Sequence, residues 1–126
     1  MLDADALTQP RAAAAGLRVF NRIADRWALS SAERQALLGG VSSISQSGPT
    51  SLTAETVLRL SYLFRIFGTL QILLSDSARA DAWIREPNSA PLFGGRTALQ
   101  LILSGQLKDL QDVADYLETH VVGDYS

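Results

Sequence analysis

Residues 54–74 read AETVLRLSYLFRIFGTLQILL, and this stretch decides the fold. It holds no proline, and its apolar positions include Val57, Leu58, Leu60, Leu63, Ile66, Leu70, Ile72, Leu73 and Leu74. Ser61, Arg65 and Gly68 leave only a narrow polar stripe, so the spacing predicts a helix that is apolar almost all round. At 1.5 Å per residue it spans roughly 30 Å. Thr53 is a good cap for it. A membrane span is the competing reading, but Arg59, Arg65 and Gln71 interrupt the stretch, and a span needs a run of about 20 predominantly apolar residues. The better account is a central core helix that also forms a seam with a second chain. Tyr62, Phe64 and Phe67 are its large aromatic side chains and the expected self-association residues.

Upstream, Leu17, Phe20, Ala24 and Trp27 recur at three- and four-residue intervals, which predicts a helix from about Pro10 to Trp27. Its polar face carries Arg18, Arg22, Asp25 and Arg26. The run Ser30-Ser31-Ala32-Glu33 has capping-box spacing ahead of Ala36, Leu37 and Leu38, and Gly39-Gly40 closes the short helix that follows. Residues 1–10 are expected to form a frayed tail. Between Val41 and Leu52 the chain turns to serine, glycine and proline, a loop with one weak helical turn.

Downstream, Ser75 or Asp76 can cap a helix through Trp83 and Ile84 that Pro87 ends. The segment Pro87-Asn88-Ser89-Ala90-Pro91 is an ordered turn, and Gly94-Gly95 leads into a short helix capped by Thr97 and stopped by Gly105. A last helix runs from about Leu107 to Val122, with Leu107, Leu110, Val113, Ala114, Leu117 and Val121 on one stripe and Gly123 as its stop. Asp109, Asp112, Asp115 and Glu118 face away from that stripe, either as a docking surface for a basic partner or as a solvated face. No strand pattern competes, and the fold class is all-α.

The chain is long enough, at 126 residues, to bury an ordinary core without staples. It has no cysteine and a single histidine, His120, which excludes disulfide frameworks and thiolate zinc sites. Asp3 and Asp5 stand where a secretory signal carries positive charge, so a cytoplasmic protein is expected. A net charge of -2 gives no global pull toward nucleic acid or anionic membranes. Charged residues make up 19% of the chain against roughly 25% in an average domain, which leaves apolar surface for another chain to cover. Converging catalytic groups are missing too: there is no cysteine nucleophile, no histidine pair and no phosphate-binding loop between strand and helix. His120, near a helix end, is a favourable charge against the helix dipole or a packing residue. A binding protein without cofactor or metal is expected.

The segment from Trp83 to Gly123 resembles the toxin-binding domain of the Xre/MbcA/ParS antitoxin family. The likeness rests on Trp83, Pro87, Asn88, Phe93, Gly94, Gly95, Thr97, Leu99, Ile102 and Gly105, in order and in spacing. Ala98 departs from the proline that many relatives carry there, and alanine is equally at home at a first helical position. Residues 17–74 look like the family's bundle of helix-turn-helix descent and its long connecting helix. The resemblance implies a compact helical bundle in three parts: a tail over 1–10, the bundle and long helix over 11–74, and a three-helix toxin-binding part over 75–126. It further implies a type II toxin-antitoxin pair, in which the partner is a RES-domain toxin that consumes NAD and this chain covers its active site. Asn88, Phe93 and Arg96 of the loop, and Gly123, Asp124, Tyr125 and Ser126 of the tail, are the expected toxin-binding residues.

The alternative is a DNA-binding transcriptional regulator. A recognition helix would fall at residues 41–51, yet no lysine or arginine occurs from Gln35 through Leu58. Ser42, Ser43, Ser45 and Gln46 could hydrogen-bond to DNA, but without counterion release the affinity is expected to be weak.

Overall fold

The computed structural model describes residues 10–39 and 53–124, which form six helices. They are α1 (Pro10–Arg26), α2 (Ser31–Leu37), α3 (Ala54–Leu73), α4 (Ser77–Trp83), α5 (Ala98–Ile102) and α6 (Leu107–Asp124). Among the described residues the sole β feature is an isolated antiparallel bridge between Pro87 and Thr97. The all-α expectation therefore holds. The proposed recognition segment and the tails at residues 1–9 and 125–126 lie outside the described residues.

The chain divides into two compact units, Met1–Ser61 and Tyr62–Ser126, and the division falls within α3. In the first unit Phe20, Ile23, Ala24, Trp27, Leu37, Val57 and Leu60 are buried. Helix α1 closes in a Schellman arrangement: the Leu29 amide donates to the Ala24 carbonyl at 2.9 Å and the Ala28 amide to Asp25 at 3.1 Å. Ala28 sits at φ 55° to permit this, a position that glycine usually fills. Helix α2 starts with the expected capping box, Glu33 N donating to Ser30 Oγ at 3.1 Å and Ser30 N to Glu33 Oε1 at 2.8 Å. Thr53 caps α3, accepting from the Thr56 amide at 3.1 Å.

In the second unit Leu63, Ile66, Leu70, Ile84, Phe93, Leu99, Ile102, Leu110, Val113 and Leu117 are buried. Helix α3 thus loses most of its apolar side chains to the interior of the chain itself, while Tyr62, Phe64 and Phe67 are half-buried. Its large exposed apolar side chains are Leu58 and Ile72, at 42% and 64%. No helix of the described residues is long and apolar enough to cross a membrane.

Asp76, of the two expected caps, is the one that starts α4, accepting from Ala78 N at 2.9 Å. Gly105, at φ 86°, follows α5 as expected. The end of α6 differs from expectation, because the helix continues through Gly123 to Asp124. A glycine costs a helix only about 1 kcal/mol relative to alanine, which does not by itself terminate one.

Candidate functional site

The loop between α4 and α5 is built almost entirely from its own backbone. Pro87 ends the helical run after Trp83, and the Asn88 amide donates to the Arg96 carbonyl at 3.0 Å. Gly95 N returns a bond to Asn88 O at 2.8 Å, so the two arms of the loop are zipped at its base. The Asn88 side chain then turns the chain, its Oδ1 accepting from Ala90 N at 2.8 Å. Phe93 N and Gly94 N both donate to Ala90 O, at 2.9 and 3.0 Å. Gly94 and Gly95 stand at φ 59° and 90°, in the left-handed region that a side chain disfavours. Thr97 then starts α5 with a full capping box, accepting from Gln100 N at 3.0 Å while Thr97 N donates to Gln100 Oε1 at 2.9 Å.

Three of the expected binding residues belong to this loop and fare differently. Arg96 is exposed, with its Nε donating to Phe93 O at 3.2 Å. Asn88 is half-buried, its carboxamide oxygen engaged in the turn. Phe93 is fully buried, and it holds the loop from beneath without presenting itself on the surface. Its ring meets Trp83 edge-on at 5.9 Å and Tyr116 at 5.1 Å and 89°. Gly123 and Asp124 end α6, and Tyr125 and Ser126 lie outside the described residues.

Two features were not foreseen from sequence. Arg65 of α3 reaches across to α6, its Nε donating to Glu118 Oε2 at 3.0 Å, a second nitrogen to Glu118 Oε1, and the same nitrogen to Asp115 Oδ1 at 3.1 Å. Arg65 also lies 5.2 Å from the centre of the Tyr62 ring. Hydrogen bonds from Arg65 hold the Glu118 carboxyl below the usual range, against a smaller opposing effect of burial. The acidic face of α6 is therefore neither wholly a docking surface nor wholly solvated: Asp115 and Glu118 hold Arg65, and Asp112 pairs with Lys108 at 3.1 Å.

The second is a shallow pocket. Leu70, Leu73 and Leu74 line it together with Trp83 and with Tyr116 and Leu117 of α6. His120 also lines it, its ring centre 4.3 Å from that of Tyr116 and its Nδ1 2.9 Å from the Tyr116 carbonyl oxygen. Periodicity placed each helix, but a pocket depends on which residues of different helices meet, and spacing along one helix does not carry that information. No cluster of His, Asp and Glu able to hold a metal occurs among the described residues.

Comparison with known proteins gives this geometry a context. Residues 69–120 match the family of the antitoxin Xre/MbcA/ParS C-terminal toxin-binding domain. The match contains the zipped loop, its two capped helices and every residue that lines the pocket. An uncharacterized protein of Sinorhizobium fredii, y4oB, is 43% identical over 109 residues, covering 82% of this chain and 82% of that protein. No solved structure matches.

Proposed function

The chain belongs to the Xre/MbcA/ParS antitoxin family, whose toxin-binding domain it carries at residues 69–120, and from that premise we propose that it neutralises a RES-domain, NAD-consuming toxin by covering its active site. The observation that supports this reading is the agreement between the family match and the second compact unit. The turn at Asn88, the left-handed pair Gly94-Gly95, the Thr97 cap and the Gly105 stop all occur inside the matched span.

In this reading the chain supplies binding surface and no chemistry. Arg96 and the outer side of the Asn88 turn meet the toxin, while Phe93 keeps that loop in shape. The segment from Gly123 through Ser126 carries the Asp124 carboxylate and one aromatic ring, Tyr125. A pocket built for the phosphates of NAD is cationic, and such a segment is a suitable occupant of it. The half-buried aromatic side chains Tyr62, Phe64 and Phe67 join two copies of the chain in the complex. The setting is the cytoplasm, where NAD is the toxin's substrate and a chain without cysteine has nothing to lose to reduction.

The test is co-expression with a RES-domain toxin, each protein produced alone and both together. Growth arrest by the toxin alone, relieved by this chain, together with a complex that survives size-exclusion chromatography, is the expected result. A toxin that neither co-purifies nor is relieved removes the reading.

A further inference from the structure

We propose that the arginine face of α1 docks on the acidic face of α6 in a second copy of this chain. The inference stands apart from the antitoxin reading and from the aromatic seam on α3, and adds a contact between copies that charge governs.

Helix α1 carries Arg11, Arg18, Arg22 and Arg26 against a single carboxylate, Asp25. That carboxylate is already engaged by Arg34 of α2 at 2.7 Å. Arg18, Arg22 and Arg26 stand at four-residue intervals, so they share one side of the helix, and all three are exposed. The guanidinium groups of Arg18 and Arg22 meet no carboxylate among the described residues. Val19, 45% exposed, lies beside them. A cationic face with an apolar side chain set in it suits a partner that brings side chains as well as negative charge.

The chain itself carries such a surface. Helix α6 has Asp109, Asp112, Asp115, Glu118 and Asp124 against one lysine, Lys108. Lys108 answers Asp112, and Arg65 alone answers both Asp115 and Glu118. Asp109 takes the neutral hydroxyl of Ser104. Carboxylates therefore outnumber cations along this face, and an ion-paired carboxylate keeps free lone pairs that can take a second guanidinium. Asp115 is exposed, and Asp112 and Glu118 are half-buried. The lengths agree as well: Arg18 to Arg26 covers about 12 Å of α1, and Asp109 to Glu118 about 14 Å of α6. A second copy is the occupant because the complementary face is present on the chain itself. A nucleic acid would bring its charge to a chain of net charge -2 and leave Val19 facing phosphate. Since the two faces differ, the contact is either made twice about a two-fold axis or repeated head to tail.

The test is sedimentation equilibrium of the full chain at low and high salt, with two charge-reversed variants. Screening should weaken wild-type self-association by about tenfold or more between about 50 and 500 mM NaCl. Arg18→Glu with Arg22→Glu replaces exposed, unpaired groups and should weaken it as much at low salt, and so should Asp112→Lys with Asp115→Lys. An equimolar mixture of the two variants should associate again, because every reversed face then meets its opposite. A monomeric wild-type chain, or self-association that neither salt nor the α1 variant alters, overturns the proposal. Two folded variants that each lose association but do not recombine overturn it too. Where the α6 variant unfolds, the α1 variant and the salt dependence decide. A random-sequence DNA duplex that the wild-type chain binds and the α1 variant does not, with self-association intact in both, identifies nucleic acid as the occupant and overturns it as well.

Discussion

Ala28 takes the left-handed conformation that closes α1, and its cost is the clearest at the scale of a single residue. For an L-residue that conformation costs roughly 1–2 kcal/mol, and glycine escapes it while adding about 0.4–1 kcal/mol of unfolded-chain entropy. Ala28 is exposed and its methyl group adds nothing to the core. Ala28→Gly should therefore stabilise the protein by up to about 1 kcal/mol, read as an upward shift of the urea midpoint at constant slope. An unchanged or lower midpoint would contradict this account of the α1 closure. Phe93 presents the opposite case, a buried ring with aromatic partners on two sides. Its truncation to alanine should cost about 3–5 kcal/mol. In chemical denaturation, a loss under about 1 kcal/mol would show that the loop does not depend on it.

Among the elements, α6 is held by more than its apolar stripe. Glu118 is kept below the usual carboxylate range by Arg65, so on acidification the unfolded chain takes up this proton before the folded one. The stabilisation is present above the unfolded value of about 4.3 and is lost as pH falls through the lower folded value. Both partners are partly exposed, which limits the contribution to about 0.5–1 kcal/mol at pH 7. Arg65→Gln should cost that much at pH 7 and nearly nothing at pH 3, measured by denaturant melts at each pH. A gap that persists at pH 3 would assign Arg65 a packing role. The sequence made the elements themselves legible: Ser30 and Glu33, Thr53, Thr97 and Gly105 are local signals, each completed within a few residues of chain. The partnership of Arg65 with Glu118 was not, because it joins positions 53 residues apart and leaves no mark on local spacing. The Ala28 closure was missed because it lacks the glycine that signals one. Helix α6 runs past the stop that Gly123 suggests, because a lone glycine does not by itself end a helix. Within the site, the sequence marks both Phe93 and Arg96, but spacing does not separate the residue beneath the loop from the one upon it.

At the scale of the whole molecule, the account is of a chain that acts by occupying another protein. Under the proposed function, removing residues 123–126 should leave affinity for the toxin in place while inhibition weakens, because the proposed bundle contacts would survive and the proposed occupant of the NAD pocket would be gone. A truncated chain that inhibits as completely as the full one at saturation would make the tail a bystander. The most direct measurement of the proposed function is NAD consumption by a purified RES-domain toxin, followed as this chain is titrated in. The account predicts a rate that falls to background once the chain is present at complex stoichiometry. NAD loss that continues undiminished at saturating chain, in a complex shown to be assembled, would contradict it.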